Sequence, residues 1–280
     1  MSVLLKAAAA ERLARLLLAV LTYLAVGILV FVIGYILRKG LPVLTPRFLL
    51  GSPEDMGRSG GIFPTILGTL YLTAVALLIA TPLGVGTAIF LTEYRRESWI
   101  TRVLRFGVEC LAGVPSIIFG LFGFVLFVVR LGWGWSILSG GLTLAFMVLP
   151  TLIRTSEEAV RAVPHSYREV CLSLGGTRWQ TVTRVVLPNA LPGILTGIIL
   201  GIGRCVGETA AVIFTAGSSL RLPASVFDST RTMAVHFYIL AREGISMPNA
   251  YGTAAVLIIA ILFINVTAYW SMHRLVSRFS

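Results

Sequence analysis

Residues 16–37 read LLLAVLTYLAVGILVFVIGYIL, with no charge between Arg15 and Arg38. Crossing the hydrocarbon core of a bilayer takes about 20 apolar residues in a helix, the form in which the backbone satisfies its own hydrogen bonds. The run also exceeds the roughly 7–15 apolar residues of a signal-peptide core, so it reads as a retained anchor. Five further stretches of this kind follow, near 65–91, 110–129, 136–153, 189–215 and 250–271. None alternates in the manner of a membrane β-strand. The expected fold class is an all-α integral membrane protein with six transmembrane helices.

Composition points the same way. The chain is 56% hydrophobic and 12% charged, where a soluble domain carries about 25% charged residues. Its net charge of +11 would suit a nucleic-acid binder, but the basic residues lie in the gaps between apolar runs and form no stripe. With the N-terminus inside, the inner segments hold Lys6, Arg12 and Arg15, then Arg95, Arg96, Arg102 and Arg105. Arg154, Arg161, Arg168, Arg178 and Arg184 follow, and then Arg274 and Arg278. They outnumber the outer cations despite Arg38 and Lys39, so both termini are expected in the cytoplasm. The expected organisation is an N-terminal segment, first span and outer loop over 1–64, a five-helix core over 65–272 with a long inner loop at 155–188, and a tail at 273–280. The outer segments 38–63 and 216–249, rich in Pro, Gly and mixed charge, are expected as loops or short surface helices. Trp133 and Trp135 suit the interfacial belt.

Several function classes find no support. Cys110, Cys171 and Cys205 are far apart and form no CxxC, so they read as small packing residues. His165, His236 and His273 lack metal-ligand spacing, so no metal is expected. Ser116 has no His and Asp constellation around it. The only lysines, Lys6 and Lys39, sit in no G-x4-G-K-[ST] phosphate loop. The chain is expected to be no enzyme and to hold no cofactor of its own.

The inner loop reads SEEAVRAVPHSYREVCLSLGGTRWQTVTRVVLP over 156–188. Ser156 before Glu157 and Glu158 is a helix-start signal, and Pro164 suits the first turn of another helix. Tyr167, Val170, Cys171 and Leu174 fall at i, i+3, i+4 and i+7 on one apolar face. Gly175 and Gly176 supply a stop, and Thr177 with Gln180 forms a T-x-x-Q capping box. Two short amphipathic helices with a glycine corner are expected. They would either rest on the lipid surface or dock into a groove of another protein.

This loop resembles the E-A-A-x3-G-x9-I-x-L-P loop of ABC-importer permeases. Glu169 aligns with the Glu and Gly175 with the Gly; Val185, Leu187 and Pro188 follow at the right distance, while Val170 and Cys171 replace the two alanines. The resemblance implies a type I ABC-importer permease fold whose loop, through residues 169–171 and 174–176, sits in a cleft of a separate ATPase that binds ATP and Mg. SGGIFPTILGTLYLT at 59–73, ATPLGVGTAIFLTEY at 80–94 and PSIIFGLFG at 115–123 are similar to the phosphate-specific permeases. So are LPNALPGILTGIILGIGRCVGETAAVIFTAG at 187–217 and AVHFYILA at 234–241. The GGI-x-P-x-I-x-GTL opening looks like the PstA-type subunit. That likeness implies a bacterial inner-membrane location, a PstC-type sister permease, two ATPase subunits and an external phosphate-binding protein, with molybdate, tungstate or sulfate as alternative cargo. An ATP-independent anion channel would leave the 155–188 segment without a purpose.

The fifth span carries two charges. Arg204 and Glu208 stand four apart inside GIGRCVGETAAVIF, 201–214, in what is expected to be the middle of a helix. A central ionised residue costs roughly 2.5–3.5 kcal/mol on insertion scales and generally faces a bundle interior or a wet cavity. Four apart, the two share a face and can pair; Gly197, Gly201, Gly203 and Gly207 leave room for close approach or a loosened backbone. The pair is either a packing device or a translocation site in which Arg204 takes an oxyanion and Glu208 takes the Arg back. The R-x-x-x-E-T element resembles the family's intramembrane charged pair, which implies the second. Arg154 and Thr155 also match the family and are placed at an inner exit, against the reading of an ordinary snorkelling Arg. Glu109 is expected at the inner boundary of the third span, and Asn265 as interhelical glue.

Overall fold

A computed structural model describes residues 2–95 and 98–279, with side chains described for Glu11, residues 13–95 and 98–270, and Arg274. Arg96 and the side chains of Lys6, Arg12, His273 and Arg278 therefore lie outside the described residues. The helices are α1 (Ser2–Gly40), α2 (Pro46–Leu50), α3 (Phe63–Ile89), α4 (Trp99–Ala112), α5 (Ser116–Gly123) and α6 (Ile137–Ala162). They continue with α7 (His165–Ser173), α8 (Arg178–Thr181), α9 (Leu187–Gly207), α10 (Ala210–Thr215), α11 (Met233–Arg242) and α12 (Met247–Phe279). Wider π-helical turns extend α3 over Phe90–Tyr94 and α5 over Phe124–Arg130, and lead into α9 over Val182–Val186. A two-stranded hairpin, β1 (Pro53–Glu54) with β2 (Ser59–Gly60), joins α2 to α3.

Among the described residues, five helical stretches are long and apolar enough to cross a membrane, and a sixth arises if α4 and the α5 stretch count as one span. The core is built around α6, which packs against α3, α9, α10 and α5. In its most apolar window 67% of residues are buried, against 0% for α1. Leu72, Ala76 and Ala80 of α3 meet Leu144, Met147, Val148 and Leu152 of α6, together with Cys205, Val212 and Val235. Small residues on α3 and α6 let two backbones approach where lipid supplies no hydrophobic drive for association. A second apolar cluster, Val160, Val163, Val186, Ala190 and Ile194, seals the inner end.

Three sequence expectations change. The third span is not one helix from 110: α4 and α5 meet at 100°. Pro115 lacks an N–H and disfavours helical backbone at Val114, so the chain turns there although no charge marks the place. Ser156 starts no helix; α6 runs through it to Ala162, with Ser156 fully buried. Glu157 and Glu158 there form i±4 pairs with Arg161 and Arg154 that favour continuation. The fifth span is broken, since α9 ends at Gly207 and α10 begins at Ala210.

Candidate functional site

The break falls inside the charged element. Arg204 occupies the last turn of α9, while Glu208 stands just beyond it with extended backbone, φ −74° and ψ 133°. The expected pairing along one helix face is therefore absent. Glu208 Oε1 instead accepts the Ala211 N–H at 3.1 Å. A glycine at the helix end weakens continuation, and a carboxylate gains most where free N–H groups open the next helix. Arg204 is exposed and has no hydrogen-bond or ion-pair partner among the described residues. The four glycines divide into two pairs. Gly197 and Gly201 press against Thr155 and Val148 of α6, whereas Gly203 and Gly207 open on space this chain does not fill. Arg204 thus lies near the unfilled side of a helix whose other side is locked into the core.

Toward the C-terminal end of α6, Arg154 and Thr155 diverge. Arg154 is exposed and pairs with Glu158 at 3.7 Å. It lines a cavity of about 210 Å³ between α4 and α6 with Arg105, Glu109, Glu157 and Arg161. Thr155 packs on Gly197 of α9, while its hydroxyl donates to the Thr151 carbonyl of its own helix at 2.9 Å. Glu157 is the hub beside the cavity, accepting from Arg105 Nε at 2.9 Å and from Arg161 at 2.6 Å with only 13% of its side chain exposed. That hub holds the tilted α4 against α6. The third-span bend hid it from a sequence reading.

The inner hairpin takes the expected form. Pro164 precedes α7, Gly175 turns at φ +81° where a side chain would be strained, and both bonds of the Thr177–Gln180 capping box are present, at 2.8 and 3.3 Å. Tyr167, Val170 and Leu174 are exposed, Leu174 by 84%, and Cys171 is half-buried against Gly176. Glu169 is exposed and reaches only His165, at 3.4 Å. Among the described residues nothing covers this apolar face, and exposed apolar patches of this kind suit contact with a protein groove or a lipid surface.

Sequence reasoning missed what holds this hairpin. Arg168 and Glu93 are both 12% exposed and joined at 2.7 Å. Nε of Arg168 adds bonds to both Glu93 oxygens at 3.0 and 3.2 Å. The remaining N–H groups reach the carbonyls of Val160 at 2.9 Å, Val163 at 2.7 Å and Pro164 at 3.3 Å. One guanidinium thereby joins α7 to the end of the second span and caps α6. The only sequence signal is an acid, Glu93, among inner-loop cations.

A further cation is buried beside α11. Arg231 is 3% exposed, with Nε donating to the Ser218 carbonyl at 2.9 Å and a terminal nitrogen 3.4 Å from Nδ1 of His236, itself 1% exposed. Burial, then the Arg231 charge, pushes the His236 pKa down to about 4. Burial also lowers that of Arg231, against the pull of Glu243. No group of three or more His, Cys, Asp or Glu side chains that could hold a metal ion gathers among the described residues.

Residues 80–280 match the family model for the binding-protein-dependent transport system inner membrane component. A probable ABC transporter permease protein of Bacillus subtilis, YqgI, is 35% identical over 87% of this chain and 88% of its own. The phosphate transport system permease protein PstA of Pasteurella multocida is 33% identical over 90% and 92%. PstA 1 of Mycobacterium tuberculosis is 38% identical over 77% and 71%. Among solved structures, a bacterial ABC transporter involved in alginate import aligns with TM-score 0.64 at 17% identity, over 92% of this chain and 95% of that one. The MetNI methionine transporter in an inward-facing conformation gives 0.59 at 18%, over 77% and 94%. These two likenesses establish the type I importer permease fold.

Proposed function

The chain belongs to the family of binding-protein-dependent transport system inner membrane components, and from that premise we propose that it passes inorganic phosphate into the cytoplasm as the PstA-type half of an ABC importer. As a permease subunit of such an importer, it is a transport protein and not an enzyme. The reading pairs it with a PstC-type sister, two ATPase subunits that bind ATP and Mg, and an external phosphate-binding protein, in a bacterial inner membrane with both termini inside. The observation that carries it is the guanidinium of Arg204, set at a break in a membrane span without a partner among the described residues. A planar pair of donors matches two phosphate oxygens.

Glu208 supplies the counter-move. While it caps α10, Arg204 is open to an anion; if the helix re-formed across Gly207–Thr209, the carboxylate would come within one turn of the guanidinium and compete the anion away. Arg154 and Thr155 would line the inner exit, and residues 169–176 would seat in the ATPase. The similarity to relatives named as phosphate permeases supports this cargo. The test is phosphate uptake by proteoliposomes holding the full complex with Arg204→Gln. Uptake is expected to vanish while the complex still assembles. Normal uptake in the variant refutes the site, and a wild-type complex that takes up molybdate or sulfate in place of phosphate refutes the cargo.

A further inference from the structure

We infer that the buried Arg168–Glu93 pair is the joint that carries motion of the docking hairpin into the membrane spans, making both residues positioning residues for transport. The inference rests on the reading of α7 as the ATPase-docking helix. It adds which atoms relay the motion and to which spans.

Force applied to α7 needs a stiff path inward, and the exposed face of Tyr167, Val170 and Leu174 offers none. Arg168, on the same helix, offers one, beside the packing of α7 on residues 182–186. All its N–H groups point inward and all are engaged, by the Glu93 carboxylate and by the carbonyls of Val160, Val163 and Pro164. Glu93 sits in the π-helical turn that ends the second span, and Val160 lies in the last turn of α6, the helix at the centre of the core. A displacement of α7 thus acts on α3 and α6 together. The carbonyl bonds alone would tie α7 only to α6, next to it in sequence; Glu93, 75 positions away, provides the link to α3. A cavity of about 540 Å³, lined by Glu93, Arg168, His165 and Arg178 among others, adjoins the pair.

The test compares wild type with Glu93→Gln and Arg168→Lys in the complete complex reconstituted in liposomes. Measured are the ATPase retained per permease, the stimulation of ATP hydrolysis by the loaded binding protein, and uptake. Glu93→Gln keeps shape and one acceptor oxygen but discharges the clamp; Arg168→Lys keeps charge but loses the fork. Each is expected to retain the ATPase in full and its unstimulated hydrolysis, and to lose about 10-fold in stimulation and uptake, within the usual range of coupling between sites. Either variant coupling like wild type overturns the inference. So does loss of the ATPase from Glu93→Gln, which would make the pair a docking or folding element. The ratio to wild type is independent of which oxyanion is carried, so a wrong cargo shows in the wild-type uptake assay alone; a wild-type complex without any ATPase overturns the joint and the importer reading together.

Discussion

Acidification should destabilise the protein through one imidazole. His236 lies on α11, packed beneath Gly57 of the outer hairpin and beside the buried Arg231. Its pKa is lowered from 6.5 to about 4, so the folded state holds it neutral while the unfolded chain begins to protonate it near pH 6.5. A base whose folded pKa is depressed contributes its full stability above the unfolded value, and that stability is lost as pH falls from 6.5 toward 4. At about 1.36 kcal/mol per pH unit, the loss by pH 4.5 is about 2.5 kcal/mol. For a chain of this size that corresponds to roughly 5–10 °C in Tm. The assay is thermal unfolding of the detergent-purified protein at pH 7.5, 6, 5 and 4.5, for wild type and for His236→Asn, whose amide oxygen can accept from Arg231 in place of Nδ1. The variant should start lower and fall less steeply, the two curves converging at acid pH. Parallel curves would show that this imidazole does not titrate across the unfolding transition, and the argument from burial would fail.

Two substitutions probe other parts of the molecule. Leu174→Asp, at a position 84% exposed, should leave the Tm within about 0.5 kcal/mol of wild type in stability terms. Its co-purification with the ATPase should fall by about 10-fold or more, as for an interface hot spot; unchanged recovery would remove residues 169–176 from the docking surface. Gly197→Ala forces a Cβ onto Thr155 at the α6–α9 crossing and should cost about 1–3 kcal/mol by overpacking. Adding Thr155→Ala should recover part of that loss in thermal unfolding, and a purely additive double variant would place the strain elsewhere.

The spans were legible because an unbroken apolar run has few other uses, and the Thr177–Gln180 box because both its bonds are local, between residues three apart. The family resemblance read from residues 156–217 agrees with the family match. Breaks inside apolar runs were harder to see. Val114 and Pro115 carry no charge, and Glu208 looked like a helix-face partner of Arg204 because spacing cannot show that a carboxylate prefers the amides of the next helix. Ser156 carried a start signal, but the pairs made by Glu157 and Glu158 continue the helix. The clamp between Arg168 and Glu93 depends on tertiary folding, and no local pattern encodes a contact between residues 75 apart.

The attachment of α1 has a mechanical consequence. From Leu13 to Val32 every described side chain is exposed, and contact with α12 is made near the far end, where Gly40 meets Tyr251 and Ala255 and Tyr35 stacks edge-on with Tyr251. The helix is a cantilever clamped at one tip. Between Leu13 and Val32 it meets no packing partner among the described residues, so its tilt there is set by whatever surrounds it, and an orientation probe placed there would report on the neighbourhood before it reported on the transport cycle.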